Sequence, residues 1–314
     1  MTRPAILMPA PMPDPVVAAL DARFDLHRMW EQDDADAYLA KIGPEIRGLA
    51  ANTLAGRIDA ALFDWLPALE IVANFGVGYD NIDVPAATAR GVVVTNTPGV
   101  LDDEVADLAV ALLLATIRRL PQADAFVRAR HWPDGPFPLS PTLRGRRIGI
   151  LGLGAIGKAI ARRLEGFGVE IAYHGRHRQA GVAYAYHPDP VALAHACDVL
   201  IAVVPGGAGT KHLVDAGVLA ALGSDGIFVN VARGSVVDQD ALVRAVTQRT
   251  ILAAGLDVYA DEPQVPDALI AADNCVLLPH IGSASQATRA AMGQLVVDNL
   301  VAWFEQGKAL TPVA

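Results

Sequence analysis

Cysteine is almost missing from this sequence: Cys197 and Cys275 are the only two in 314 residues. Neither belongs to a Cys/His set with the spacing of a metal site, so no disulfide framework and no metal is expected. Two buried thiols in a reducing compartment are. Long hydrophobic runs are also lacking. The opening MTRPAILMPAP is too short and too proline-broken to serve as a signal peptide. The most apolar helix-forming stretch, Val105–Leu120, is interrupted by Asp107 and closed by Arg118 and Arg119. It falls short of the ~20 clean apolar residues that span a bilayer, so a soluble, cytoplasmic protein with no membrane partner is expected. Positive charge is in deficit, with 25 Lys and Arg against 34 Asp and Glu, a net charge of −9. That argues against a nucleic-acid partner, because phosphate binding needs a basic surface to release counterions. It leaves an anionic small molecule open, since one local arginine outweighs distant, screened charge. No short-period repeat or low-complexity tract is present.

The chain does contain apolar runs alternating with helical stretches throughout, at a length that suits two domains. Early runs are Ala5–Met8, Ile46–Ala51 and Leu69–Asn74; later ones are Arg147–Leu151, Glu170–Tyr173, Val199–Val203, Ile227–Val231, Ile251–Leu256 and Val276–Leu278. Several are apolar without alternation, as expected of strands covered on both faces by helices, which predicts an α/β chain with parallel sheets. The exception is His131–Thr142, HWPDGPFPLSPT, an irregular stretch with four prolines that reads equally as a crossing arm or a surface excursion.

Residues 147–165, RIGILGLGAIGKAIARRLE, place a strand, a glycine-rich turn and a helix in succession. Gly152 suits the tight turn, Gly154 the close approach of a pyrophosphate, and Gly157 the packing of helix on strand. The N–H groups of Ala155 and Ile156 would then open a helix whose positive dipole end faces phosphate. A site that prefers NAD carries Asp or Glu at the tip of the next strand to hold the ribose 2′-hydroxyl. Here the tip is His174, followed by Arg176 and Arg178, while Glu170 lies at the other end of the strand. Guanidinium groups bind a 2′-phosphate that an acid would repel, so NADP(H) is expected in preference to NAD(H). A solvated basic turn is the plain alternative.

Three charged residues follow successive apolar strands: Arg233 after Ile227–Val231, Glu262 after Ile251–Leu256, and His280 after Val276–Leu278. In an open parallel sheet, ligands bind outside the carboxyl ends of the strands, so the three are expected to converge. Reduction of a 2-keto acid needs this set. Arginine grips the carboxylate and polarises the carbonyl, histidine donates a proton, and the carboxylate orients the imidazole and favours its charged form. Each alone has an ordinary explanation, His280 as a loop histidine and Arg233 with Glu262 as an ion pair. The other seven histidines show no partner arrangement.

Taken together, NFGVGYDNID from Asn74, VTNTPGVLDDEVADLAVALLLATIRRL from Val94, LGLGAIG, NVARGSVVDQDAL, AGLDVYADEP and LPHIGSAS closely resemble the D-isomer-specific 2-hydroxyacid dehydrogenase family over nearly the whole chain. The resemblance implies Arg233, Glu262 and His280 as catalytic residues, and a substrate-carboxylate cradle at Gly76, Val77 and Gly78, with Ser283 alongside. It implies further cofactor contacts at Val204, Pro205, Thr210, Val231, Ala232 and Gly282, with Asp257 holding the nicotinamide carboxamide. The implied fold is two Rossmann-like or flavodoxin-like parallel-sheet domains with an interdomain cleft. Residues 1–98 and 283–314 would bind substrate, and residues 99–282 the dinucleotide. A homodimer through the Val105–Leu120 helix and the following arm is also implied.

The wording NTPGVLDDEVADLA, FPLSPTLRGRRIGI and YHGR resembles the glyoxylate/hydroxypyruvate reductase branch, which commonly uses NADPH. Ser285 departs mildly from the usual threonine, and Val204-Pro205-Gly206-Gly207 replaces a more polar turn, which leaves the cofactor contacts there open. Phosphoglycerate dehydrogenase is not expected, because no regulatory domain follows Ala314. An NAD-using member acting on D-lactate or hydroxyphenylpyruvate is the enzyme alternative. A nucleotide-sensing binding protein of the same fold is the other, and the lack of an interaction tail after the last expected helix disfavours it.

Overall fold

In the computed structural model, which describes residues 3–313, every predicted apolar run forms a strand. Three match to the residue, and the others shift by one or two positions at one end or, in the last, by one at both. The chain divides into two compact units, residues 1–101 with 284–314, and residues 102–283. Gly99–Leu101 therefore fall in the first unit and Ser283 in the second.

The first unit runs β1 (Ala5–Met8), α1 (Asp14–Asp21), β2 (Asp25–Arg28), α2 (Ala35–Ile42), β3 (Ile46–Ala51), α3 (Ala60–Trp65), β4 (Ile71–Asn74), α4 (Val84–Ala89) and β5 (Val93–Thr95). All five strands are parallel, in the order β2-β1-β3-β4-β5. The second unit runs α5 (Asp102–Arg118), α6 (Leu120–Arg128), β6 (Arg147–Leu151), α7 (Ala155–Glu165), β7 (Glu170–His174), β8 (Ala185–His187), α8 (Pro190–Ala196), β9 (Val199–Ala202), α9 (Ala216–Leu222), β10 (Ile227–Asn230), α10 (Gln239–Thr247), β11 (Ala253–Leu256), α11 (Asp267–Ile270) and β12 (Cys275–Leu277). Its seven strands are parallel, in the order β12-β11-β10-β9-β6-β7-β8. Then α12 (Gln286–Gln306) returns to the first unit. Both orders are doubly wound: the first reverses between β1 and β3, the second between β6 and β9, so the glycine turn after β6 stands at a topological switch point.

The central strands β1, β4, β9, β10 and β11 are buried along their whole length, which is why they read as apolar runs, closed in β4 and β10 by the buried Asn74 and Asn230. The strands without an apolar signal lie at sheet edges. DLHR forms β2 and AYH forms β8, each with a neighbour on one side only. The single helix expected over Val105–Leu120 is two. Helix α5 ends at Arg118, Arg119 adopts left-handed backbone at φ 52°, and Pro121 opens α6. His131–Thr142 is irregular apart from a 3-10 turn at Trp132–Asp134. Among the described residues no helix is long and apolar enough to cross a membrane.

Candidate active site

Three adjacent strands place the charged residues. β10, β11 and β12 pair in register, and each ends in a loop at the same edge of the sheet. Asn230 closes β10 and is 1% exposed. Its amide accepts from the Ala232 N–H at 3.0 Å and donates to the Arg233 carbonyl at 3.1 Å. The backbone of Val231 and Ala232, both buried, is thereby fixed. Gly234 then passes so close to the next loop that a Cβ would lie 1.8 Å from the Tyr259 carbonyl. Only glycine lets the Arg233 loop approach this near to the one carrying Glu262.

That second loop folds on itself through the Glu262 carboxylate. One oxygen accepts from the Tyr259 N–H at 3.0 Å; the other meets Nδ1 of His280 at 2.6 Å. Both side chains are about one-third exposed, 36% for His280 and 33% for Glu262. Burial pushes the Glu262 carboxyl up, but the His280 hydrogen bond, the Tyr259 N–H and the charges of His280 and Arg233 together hold it below the usual carboxylate range. An apolar cavity of about 330 Å³ backs the pair, walled by Tyr259, Ile270 and Leu277.

His280 occupies left-handed backbone at φ 53°, an uncommon state for a residue with a Cβ. Asp257, 2% exposed, holds it there. The Asp257 carbonyl accepts from the His280 N–H at 2.9 Å, and its carboxylate oxygens accept from Ile281 at 2.8 Å and Gly282 at 2.9 Å. Asp257 thus acts as the strut of the His280 loop, and burial, opposed by those N–H groups, raises its pKa. Ser283 follows, half-buried.

The glycine turn fits a dinucleotide. A Cβ on Gly157 would lie 2.1 Å from the Gly152 carbonyl, so helix and strand pack at glycine distance, whereas a Cβ on Gly154 would meet nothing within 4 Å. Gly154 and Ala155 are exposed and Ile156 half-buried, at an N-terminus with no side-chain cap. Those free N–H groups, beside open space, suit a pyrophosphate. Gln179, unnoticed in the sequence, donates to the Leu153 carbonyl at 2.7 Å and ties the loop after β7 to this turn. Arg176 and Arg178, on that loop, are both exposed. His174 itself bonds the His187 carbonyl at 3.0 Å. Val204 abuts Gly152, and the Thr210 hydroxyl donates to the Pro205 carbonyl at 2.7 Å, closing the turn after β9.

In the first unit, Gly76, Val77 and Gly78 follow β4 as a half-buried turn. Gly76 N–H donates within the turn to Asn74 at 3.1 Å, but no acceptor among the described residues meets the N–H of Val77 or Gly78. Two unpaired amides in succession suit an anion.

The family model for the NAD-binding domain of D-isomer-specific 2-hydroxyacid dehydrogenases matches residues 110–282. Glyoxylate/hydroxypyruvate reductase A of Arabidopsis thaliana is 44% identical over 308 residues, covering 98% of both chains. A 2-ketogluconate reductase of Gluconobacter oxydans is 41% identical, covering 99% of both. An NADPH-dependent glyoxylate/hydroxypyruvate reductase from Sinorhizobium meliloti, solved with NADP and malonate, is 53% identical and superposes with a TM-score of 0.95 over 100% of this chain and 97% of that one. The chain belongs to the D-isomer-specific 2-hydroxyacid dehydrogenase family.

Proposed function

We propose that this protein reduces small 2-keto acids, glyoxylate and hydroxypyruvate foremost, to D-2-hydroxy acids with NADPH. The observation that carries the reading is the 2.6 Å hydrogen bond between His280 and Glu262, with the charge of Arg233 acting on the same carboxylate. The N–H groups of Val77 and Gly78 receive the substrate carboxylate. Arg233, beside Glu262 in the second unit, supplies positive charge to the substrate and polarises its reacting carbonyl. Glu262 holds Nδ1–H of His280, which fixes the ring and leaves Nε2 to donate its proton to the carbonyl oxygen as negative charge develops. Solvent then returns the proton to the imidazole. The nicotinamide, when bound, supplies the hydride. Ser283 lies next to this chemistry in sequence and is assigned to the substrate, while Asp257 keeps His280 in place.

Arg176 and Arg178 support NADPH, since both are exposed on a loop tied to the glycine turn and no acid stands at the tip of β7. The NADPH-dependent S. meliloti relative agrees. A homodimer is supported by apolar side chains left in the open on α6 and the arm after it, Leu120, Val127, Trp132 and Leu139, the last 100% exposed. Two unpaired thiols fit a cytoplasmic location.

The test is His280→Ala. Keto-acid reduction should fall about 10²–10⁴-fold while NADPH, followed by its fluorescence, still binds. Near-parental turnover would remove His280 from the chemistry.

A further inference from the structure

The cradle at Gly76–Gly78 presents amides to an anion only if its peptide planes are held one way round. In a peptide unit the carbonyl of one residue and the N–H of the next lie in one plane and point oppositely, so anchoring the carbonyl aims the amide. The Gly76 carbonyl, in the plane that carries the Val77 N–H, accepts twice: from Nδ2 of Asn74 at 3.1 Å and from the Thr97 N–H at 3.1 Å. The Val77 carbonyl, in the plane that carries the Gly78 N–H, accepts from Nδ2 of Asn96 at 2.9 Å. The Gly78 carbonyl accepts from Asn74 as well, at 2.9 Å. All three carbonyls of the cradle are clamped, and side-chain amides make three of the four bonds.

Asn74 is 0% exposed, and its Oδ1 has no partner among the described residues. A buried polar atom left unpaired is a cost. It is tolerated at Asn74 by a side chain whose nitrogen serves two cradle carbonyls. Asn96 is held in turn by the segment after α12. The Thr311 hydroxyl donates to the Asn96 carbonyl at 2.6 Å and accepts from Nδ2 of Asn299 at 3.0 Å. Oδ1 of Asn299, a residue 1% exposed, accepts from the N–H groups of Leu310 and Thr311 at 2.9 and 3.0 Å. Thr95 bridges Pro312 in antiparallel fashion, and Val313 donates to Val94 at 2.9 Å. Residues 311–313 are thereby laid along the edge of β5, where Asn96 begins the next loop.

We infer that Asn74 and Asn96 are positioning residues for the substrate carboxylate, acting through the cradle carbonyls, and that Thr311 fixes Asn96 for that task. The inference rests on the proposed keto-acid reductase reading, because it assumes that the anion is a substrate carboxylate. A cradle that grips the carboxylate equally in the ground state and the transition state sets KM and leaves kcat alone.

The experiment compares the full-length parent with Asn96→Ala, Asn96→Asp, Thr311→Val and Thr311→Ser. It measures glyoxylate kinetics, inhibition by oxamate (a non-reducible 2-keto-acid isostere) and NADPH affinity. Asn96→Ala should raise KM for glyoxylate and Ki for oxamate together, roughly 10- to 100-fold, with kcat within about twofold and NADPH affinity unchanged. Asn96→Asp should be worse, because a carboxylate facing the Val77 carbonyl turns the peptide over. Thr311→Val should reproduce the split more weakly, and Thr311→Ser, which keeps the hydroxyl, should restore parental KM. Variants with parental KM and Ki, or losses spread evenly over kcat, KM and NADPH affinity, overturn the inference while the functional reading stands. Thr311→Val, at a half-buried position near the chain end, keeps the test alive if the Asn96 variants fail to fold. A parent that turns over no 2-keto acid overturns the functional reading, and this inference with it.

Discussion

His280 and Glu262 meet because each is fixed by backbone before the side chains touch. Asp257 holds the histidine in left-handed geometry, and the Tyr259 N–H holds one oxygen of the glutamate. The sign of the Glu262 shift sets a pH expectation. A carboxyl held below its usual range stays ionised in acid where an ordinary glutamate is already protonated. Its orienting bond, and the stability it contributes, are present above the usual glutamate range and are lost as pH falls through the depressed value. Reduction should therefore persist into acid below that range, and Glu262→Gln should abolish this acid limb in a pH–rate profile. A variant profile superimposed on the parent's would show that the carboxylate does not orient His280. In the role proposed for Arg233, removing a charge that grips the carboxylate costs about 2–5 kcal/mol. Arg233→Ala should then cripple keto-acid kinetics and spare NADPH affinity; the reverse pattern, read by fluorescence titration, would move Arg233 to the cofactor. These three residues could be picked out in the sequence because charged side chains after apolar strands are conspicuous. Asn230, Asn74 and Gln179 could not. An asparagine ending a strand looks like any turn residue until its partners are known, although a polar residue closing a fully apolar run before a tight turn is a signal that could be sought.

Among the elements, the apolar strands announced themselves, the edge strand β12 included, and the polar edge strands β2 and β8 did not. β9, β10 and β11 are buried along their length and, apart from the Asn230 that closes β10, carry no polar side chain, whereas β2 and β8 pair on one side and tolerate Asp, His and Arg. The helix over Val105–Leu120 was visible as apolar periodicity, but its break needed the backbone of Arg119, a residue with no sequence mark of a turn. Part of the acidic excess is structural at this level. Asp34, Asp59, Asp83, Asp189, Asp215 and Asp238 each cap a helix N-terminus, accepting an N–H of its first turn. The cysteines belong to core elements too. Cys197 follows α8 and packs where a Cβ on Gly149 would sit 2.8 Å from its sulfur. Burial pushes its thiol up to about 12, and that of Cys275 in β12 to about 11. Both should resist an aromatic disulfide reagent at pH 8 in the folded protein and react fully in denaturant. Prompt native-state reaction of either would show that its element opens.

At the scale of the molecule, each of the two doubly wound sheets carries one candidate recognition turn, a glycine turn after β6 suited to a nucleotide and an amide turn after β4 suited to an anion. The exposed apolar surface of α6 and its arm is what the proposed dimer would cover. Sedimentation should give twice the chain mass, and Leu139→Glu should shift it toward the single chain; a parent that sediments as one chain would contradict the assembly. The central claim, a 2-keto-acid reductase driven by NADPH, is tested most directly by the initial rate of cofactor consumption with glyoxylate, run with NADPH and with NADH at matched concentrations. The structure predicts glyoxylate-dependent turnover with kcat/KM for NADPH well above that for NADH. Equal efficiency with the two cofactors would contradict the role given to Arg176 and Arg178, and no glyoxylate-dependent consumption of either would contradict the function itself.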